Sequence, residues 1–495
     1  MSFMLVPPEI LCEILGLLQA ETMLGCSTVC RTWHDAIRSS PILQYTIELW
    51  KDGLIPAYDN SSIVAQDRLN ALQDRRRAWR DIAWSSQTVI DIGFHTCKAF
   101  EFVGGVFAVQ EREPNFCTVS LTDLVADPNT SVSTRRHALP PGIDLQNHVD
   151  FAMDPTQDLL AILYRPGGTT GILSFRRVSD LRIHPLARDS AVRFEMEDID
   201  DNFLEDVTMH ISYDIVAISF VVPGRLVIFD WRRCLLLVDL AVSDHSGFQF
   251  ISSRAFLLGS SEADGQVEIY TLNVEQPSHT HVATLRFPAL DDDWFLSSIG
   301  AHSGPFCSHS IPGRRFATAH SRRIYCFEIQ YNDGGFCARL FVHYRTFRRY
   351  IEQVQQQQTG PMEVPWEEWG PRDTRMLDGD LCDWHRFVHG ERAIIPAGSP
   401  YSICILDFNR GSHHEAVDVY STAEEMVSDS TVIESYDITG LTPFKDTVET
   451  WLPFRMTERE LPGGDSEPFD QFMLEQDCVL GADEQVPDKM TVFIF

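Results

Sequence analysis

The sequence predicts an α+β multidomain protein: a short three-helix module, a linker helix, and then an all-β propeller of about seven blades closed by its two terminal strands. Three observations predict it. Apolar residues recur at three- and four-residue spacing near the N-terminus. A run free of Gly and Pro spans residues 65 to 84. From Thr88 onward, short apolar strands alternate with turn signals and no long helical period appears. The boundaries drawn from this pattern are 1–48 for the helical module, 49–86 for the linker with its helix, and 87–495 for the propeller.

The first helix starts at Pro7-Pro8, where proline is tolerated because an N–H in the first turn has no helical partner, and Glu9 suits the positive end of the dipole. Ile10, Leu11, Ile14, Leu15 and Leu18 make one wide apolar face. A second short helix is expected over Glu21 to Cys26 and a third over Cys30 to Arg38, ending before Ser39-Ser40-Pro41. Three such helices cannot bury all of that apolar surface among themselves. Either a partner covers it, or the module caps the chain's own β domain.

The linker run is rich in helix formers. Leu69, Leu72, Trp79, Ile82 and Ala83 fall near one side, with Asp and Arg on the rest. This is the pattern of a surface helix that packs on the β domain and also serves as a stiff spacer.

In the β region one unit recurs: an apolar strand, a turn often containing Gly, and a second alternating strand. Leu159 to Tyr164 followed by Gly171 to Phe175 is one example, and Ile215 to Phe220 followed by Arg225 to Trp231 is another. The second strands number about seven and lie mostly about 40 to 60 residues apart, the range expected for four-stranded blades. Cys234 to Leu240 and His281 to Phe287 follow as outer strands. A Gln-, Pro- and Trp-rich stretch at about 352–375 reads as a loop insertion, and the long interval from Ile403 to Val492 as another insertion or an eighth blade. Thr88 to Ile92 and Met490 to Phe495 both lack an obvious neighbour, so their pairing would close the ring. A β-sandwich array is the alternative, disfavoured because it needs no regular strand-pair period.

Composition narrows the function. Forty Lys+Arg against 71 Asp+Glu give a formal net charge of -31. Such a surface repels nucleic-acid phosphates and anionic membranes, so no nucleic acid and no membrane is expected as a partner. Twelve scattered cysteines with no Cys-x-x-Cys pair and no basic leader segment point to reduced thiols in the cytosol or nucleus.

The residues of the helical module carry a resemblance. Val6-Pro7-Pro8-Glu9-Ile10, Ile14-Leu15, Val29-Cys30-Arg31-Thr32-Trp33 and Ser40-Pro41-Ile42-Leu43 resemble, in order and spacing, the F-box motif over roughly residues 5 to 45. Val6 departs from it, since the family usually has Leu there. Leu69 to Trp84, Phe102 to Phe107, Asp158-Leu159-Leu160 and Trp366 to Pro371 are similar to a group of F-box proteins from mushroom-forming fungi. The resemblance implies a non-enzymatic role: the module binds a Skp-type adaptor and, through it, a cullin–RING ubiquitin ligase, while the propeller holds a target protein of unknown identity. It implies an adaptor surface and its support drawn from Pro7, Pro8, Ile10, Leu11, Ile14, Leu15, Leu18, Val29 and Trp33, without apportioning the two roles.

Catalytic motifs are thin. Glu195, Glu197, Asp198, Asp200 and Asp201 form one acidic cluster and Asp291, Asp292 and Asp293 another. In a chain this acidic such runs are the ordinary composition of solvated loops. His413-His414-Glu415 lacks the i, i+4 histidines of a zincin helix, and no phosphate loop or Gly-x-Ser-x-Gly elbow is present. No cofactor or metal is expected. Trp366 and Trp369, among Pro361, Pro365 and Pro371, either form a partner-binding loop or fold back over the propeller. The rivals to a degradative receptor are an adaptor-bound scaffold and a propeller hydrolase with a helical cap.

Overall fold

The computed structural model describes residues 6–495 apart from 58–62, 92–98, 111–114, 127–129, 131, 140–141, 144–147, 197–206, 244, 312, 358–359, 380–385, 396–400, 410–428, 434–435, 439–441, 462–468, 470 and 483–488. Four helices open the chain: α1 (Pro8–Gly16), α2 (Ala20–Ser27), α3 (Arg31–Ser39) and α4 (Pro41–Lys51). The fourth corrects the three-helix expectation, and a boundary at 48 would cut through it. Pro41 ends one helix and also begins the next, because a proline excluded from a helix interior is at home in a first turn. Leu11, Leu15, Met23, Ala36, Ile37, Leu43 and Ile47 form the core of this bundle.

After a short strand (Leu54–Pro56) comes α5 (Ala65–Arg80), four residues shorter at its C-terminal end than the expected run to 84. Ile82 takes a left-handed backbone (φ 47°) and breaks the helix. The side chains of α5 divide between two partners. Leu69 and Leu72 pack with Tyr45 and Leu49 of α4, with Leu54, and with Phe316 of the propeller domain. One end further on, Trp79 stacks on Phe495, ring centroids 4.0 Å apart.

The remainder is a seven-bladed propeller. Blade 1 comprises Ala99–Val103, Val106–Gln110, Asn115–Ser120 and Ser133–Ala138, with a short helix, α6 (Thr122–Ala126), before its last strand. Blade 2 is His148–Asp154, Leu159–Tyr164, Thr170–Arg177 and Ala191–Glu195. Blade 3 is Val207–Ser212, Ile215–Phe220, Arg225–Asp230 and Leu235–Ala241. Blade 4 is Gly247–Ser252, Ala255–Ser260, Gln266–Asn273 and Ser278–Arg286. Blade 5 is Leu296–Ser303, Ile324–Tyr331, Phe336–His343 and Thr374–Asp378. Blade 6 is Val388–His389, Arg392–Ile395, Ser402–Asp407 and Phe454–Glu460, with Asp429–Ile433 added at its edge. Within each blade the pairing is antiparallel, and the first strands of successive blades, from 1 through to 7, contact one another around the centre.

Blade 7 closes the ring as expected. Gln471–Leu474, Cys478–Ala482 and Lys489–Ile494 are completed by Ser86–Asp91 from the start of the domain, with Ser86 opposite Ile494 and Asp91 opposite Lys489. The interval from Ile403 to Val492 therefore holds the outer part of blade 6 and the start of blade 7, and no eighth blade appears among the described residues.

The insertion expected as a loop at 352–375 is larger, and it is helical. It runs from α7 (Tyr344–Gln357) through the strand Met362–Val364 to α8 (Trp366–Asp373), between the third and fourth strands of blade 5. Met362–Val364 adds parallel to the outer strand of blade 4, so it covers that blade's edge. A second insertion, residues 304–323, leaves between the first and second strands of the same blade. Its strand Phe316–Thr318 pairs with Leu54–Pro56.

Candidate partner-binding site

The helical bundle sorts the nine sequence candidates by burial. Leu11 and Leu15 (1% exposed) are core, so they hold the bundle together. Leu18 and Trp33 are half-buried against that core. Pro7 and Pro8 are exposed, as are Ile10 and Ile14. Val29 is 66% exposed. The sequence reading missed Leu17, which at 88% is the most exposed large apolar side chain among the described residues. Ile10, Ile14 and Leu17 lie at i, i+4 and i+7, which places them in one stripe on α1 and its C-cap. That spacing was legible in the sequence. What was not legible is which of two overlapping apolar stripes the other helices cover. The stripe does not pack on the chain's own β domain, because its side chains remain exposed in the folded chain.

The module is fixed to the propeller through charge as well as packing. Arg76 of α5 donates from Nη2 to Glu48 Oε2 at 2.7 Å and from Nε to Asp52 Oδ1 at 2.8 Å. All three side chains are largely buried. Against the burial that raises it, hydrogen bonds from Lys51 and Arg76 hold the Glu48 carboxyl below its ordinary value. Burial outweighs Arg76 at Asp52, whose carboxyl is raised. One residue earlier, Arg75 reaches blade 7, donating to the Gln476 carbonyl at 2.6 Å and to Asp477 Oδ1 at 3.2 Å.

Residues 304–323 close the central channel at this end. The Ser308 amide and hydroxyl donate to Asp154 Oδ2 of blade 2, at 3.0 and 2.6 Å. Arg314 donates to Glu475 of blade 7 through both terminal nitrogens, at 3.2 and 2.6 Å. The Gln476 amide donates to the Phe316 carbonyl at 2.7 Å. Every one of these anchors lies in or beside the turn between the first and second strands of its blade. In an antiparallel blade such turns share one face of the disc, so the plug, α4 and α5 occupy that face.

Within the channel, Arg386, just before blade 6, donates from both Nε and Nη2 to the two carboxylate oxygens of Glu101 in blade 1, the Nε contact at 2.7 Å. Glu101 also accepts from the Phe102 amide at 2.8 Å. Asp150 of blade 2 stands within electrostatic reach of both. Burial pushes its carboxyl up to about 8, against the Phe151 amide, and the Glu101 charge adds to the rise. A buried carboxyl and a half-buried one thus stand within electrostatic reach of each other, which the sequence did not show: the members of the cluster lie far apart along the chain.

Trp366 and Trp369 are not a partner-binding loop. Trp369 is fully buried, its indole Nε1 donates to the Arg286 carbonyl at 2.8 Å, and the two rings meet edge to face, centroids 5.5 Å apart. Gly370 makes room for this: a Cβ there would stand 2.3 Å from the Trp366 ring. The tryptophans fold back onto blades 4 and 5, the second of the two expectations, because two indoles bury more apolar area than this helix could leave exposed.

The Asp291–Asp293 cluster stays a surface feature. Asp291, Asp292 and Asp293 are exposed, with the Asp291 amide donating to the Pro443 carbonyl. Most of the Glu195–Asp201 cluster and His413-His414-Glu415 lie outside the described residues. Among the described residues no group of three or more His, Cys, Asp or Glu is placed to hold a metal ion. Among the described residues no helix is long and apolar enough to cross a membrane.

Comparison with known proteins agrees with this geometry. Residues 3–49 match the F-box-like family. No curated protein matches the chain. Among solved structures the chain is similar to the computationally designed Ika8 protein, with 9% identity over 83% of this chain and 100% of that one, TM-score 0.38. It is similar to Hsv2 of Kluyveromyces lactis, with 10% identity over 79% and 90% and TM-score 0.40. A third is the C-terminal WD40 domain of Sif2, with 7% identity over 82% and 98% and TM-score 0.34. Likenesses this distant carry no functional argument. The chain therefore joins an F-box-like domain at residues 3–49 to a seven-bladed β-propeller.

Proposed function

We propose that the protein is the substrate receptor of a cullin–RING ubiquitin ligase. In this reading the helical module docks on a Skp-type adaptor, and the propeller presents a target protein from the face opposite the module. One observation carries it: within a module that matches the F-box-like family, Ile10, Ile14, Leu17 and Val29 remain exposed although the bundle has its own core and is locked to the propeller. An apolar stripe left uncovered on a fixed mount marks a protein interface. F-box domains in general bind Skp-type adaptors.

The chain then contributes placement, not bond-making. α5, the Arg76 ion pairs and the strand pair Leu54–Pro56 with Phe316–Thr318 hold the two binding surfaces at a set distance. A fixed mount raises the effective concentration of target lysines near the transferred ubiquitin. The cytosol and nucleus are the compartments this reading expects.

The electrostatic proximity of Glu101 and Asp150 is the one observation that favours a hydrolase. It is a weak one, since both Glu101 oxygens are engaged by Arg386, leaving no free carboxylate to act with Asp150 as a pair.

The test is co-purification of the full chain with the adaptor. Wild type should capture it, and Ile14→Asp and Leu17→Asp should lose capture while keeping a wild-type thermal transition. Failure of wild type to capture the adaptor overturns the reading. Leu15→Asp is unsuitable for this purpose, since a charge at that buried site unfolds the bundle.

A further inference from the structure

We infer that the module-bearing face of the propeller carries, on blades 2 to 4, a docking surface for an acidic protein segment that also bears apolar side chains. The inference goes beyond the receptor reading and does not depend on it. It concerns a further surface, apart from the exposed stripe of α1 and from the face opposite the module.

The chain reverses at every strand, so the connection between the third and fourth strands of a blade lies on the same face as the turn between the first and second. In blade 2 that connection, residues 178–190, is held from beneath. The Leu186 amide donates to His184 Nδ1 at 3.2 Å, so the buried imidazole carries its proton on Nε2 and donates it to the Gln157 carbonyl at 3.0 Å. The same ring meets Trp231 edge to face, centroids 4.7 Å apart. Arg176 Nη1 donates to the Leu181 carbonyl at 2.9 Å, and the Arg188 amide donates to the Arg232 carbonyl of blade 3 at 2.9 Å. On this fixed support Ile183 and Leu186 stand exposed, with exposed Pro185 between them. The exposure holds with α1 to α5 in place, so the helical module does not cover these side chains. A rigid apolar knob of this kind suits a protein interface, because little ordering cost remains to be met on binding.

The charges around the knob are layered. Exposed Arg182 and Arg188 flank it, and exposed Arg232, Arg233 and Arg254 follow on blades 3 and 4, around an open cleft of about 360 Å³ that Val274 and His309 also line. The carboxylates lie beneath the arginines. Arg182 is 82% exposed over Asp180 at 30%, Arg233 is 47% exposed over Asp230 at 4%, and Arg254 is 48% exposed over Asp214 at 25%. Arg188 and Arg232 make no ion pair with a carboxylate of the described residues; Arg232 has only Gln157 Oε1 at 3.4 Å and the Trp231 ring. Asp189 and Glu275 are the exposed acids of these connections. In a chain of net charge -31, this surface therefore turns five guanidinium groups outward against two carboxylates. Guanidinium groups pair with carboxylates through two parallel hydrogen bonds, so Asp and Glu side chains are what they fit. A nucleic acid would leave Ile183 and Leu186 uncovered and would meet the acidity of the remaining surface. A basic segment would meet the arginine layer first.

The probe is a phage-displayed library of random peptides of about twelve residues. It is selected on the full chain and counter-selected on a chain carrying Arg188→Glu, Arg232→Glu, Ile183→Ser and Leu186→Ser. The recovered peptides should be rich in Asp and Glu with apolar residues among them. Titrated by fluorescence anisotropy, they should bind wild type at least about tenfold more tightly than either Arg188→Glu with Arg232→Glu or Ile183→Ser with Leu186→Ser, and should weaken as salt rises. Arg77→Glu, an exposed change on α5, should bind them as wild type does, which separates this surface from net charge. All these variants alter exposed side chains and should keep the wild-type thermal transition. Recovery of no acidic peptide, or equal binding by wild type and both double variants, overturns the inference. So does a single-stranded RNA that binds more tightly than the peptides and is lost in the same variants. A sedimenting dimer that either double variant dissociates would assign the surface to a second copy and overturn it too. Adaptor capture, read on the same samples, should be unchanged in both double variants; a parallel loss would place the patch in the adaptor interface and overturn its separate role. A wild-type chain that captures no adaptor but binds the acidic peptides loses the receptor reading alone.

Discussion

Replacing Arg76 by methionine should open the junction between the helical module and the propeller. The guanidinium is the ion-pair partner of two largely buried carboxylates, Glu48 at 2.7 Å and Asp52 at 2.8 Å. Methionine fills much of the volume but leaves both uncompensated. Breaking a buried pair from one side costs about 3–5 kcal/mol. Here the lower end applies, because Glu48 keeps Lys51 at 2.7 Å, while Asp52 retains only the more distant Arg75 and Arg392. A loss of about 3 kcal/mol is roughly two orders of magnitude in an opening equilibrium. Hydrogen exchange over α4 and α5, corrected for intrinsic rates, reads it directly. Protection there should fall by about a hundredfold at pH 8 while the blade strands keep theirs. The sign of the pH dependence is also set. In the variant, both carboxyls have folded-state values raised above their unfolded ones, so the deficit they impose grows as pH rises and shrinks as pH falls. In wild type, the lowered Glu48 carboxyl contributes stability that is lost as pH falls. The two proteins should therefore converge toward pH 5. A drop in protection under threefold, or an equal drop at pH 5 and pH 8, would refute the reasoning.

Other outcomes follow from burial. Val29→Asp should abolish adaptor capture with little change in thermal stability, whereas Leu15→Asp, which puts a charge into the bundle core, should melt the module by several kcal/mol; identical thermal shifts for the two would contradict the apportioning. Trp369→Ala should cost about 3–5 kcal/mol in denaturant unfolding, with adaptor capture intact at low temperature; a cost near zero would mean that α8 is not part of the core. Val492→Pro interrupts the middle strand on which ring closure depends, and calorimetry should show the propeller transition lowered by at least about 3 kcal/mol. An unchanged transition would refute closure through the terminal strands.

Much of the architecture was legible because it is local. Hydrophobic period separates helix from strand residue by residue, and the repeat of strand pairs from Leu159 to Tyr270 counts blades without any knowledge of their contacts. Closure was legible for a different reason: two strands without neighbours, at opposite ends of one domain, leave exposed edges unless they pair. Where proline carried the argument the reading was less secure. Pro41 marked the end of α3 but hid the start of α4, and the prolines around Trp366 suggested a loop where Pro365 in fact caps α8. Proline disfavours helix interiors, though Pro371 lies within α8, and it favours helix starts, and a single sequence does not say which applies.

By itself, the sequence determined the order of modules, the F-box-like motif, the number of blades to within one and the absence of a recognisable catalytic motif. The tertiary structure decided which apolar residues are surface and which are core. It separated Ile14 and Leu17 from Leu15, and turned Trp366 and Trp369 from candidate anchors into packing. It also decided the charge chemistry, by bringing Glu101, Asp150 and Arg386 within electrostatic reach of one another and setting Arg76 between Glu48 and Asp52. The physical reason is range: backbone propensity and periodicity act over a few residues, whereas burial and ion pairing depend on neighbours that are distant in the chain until it folds.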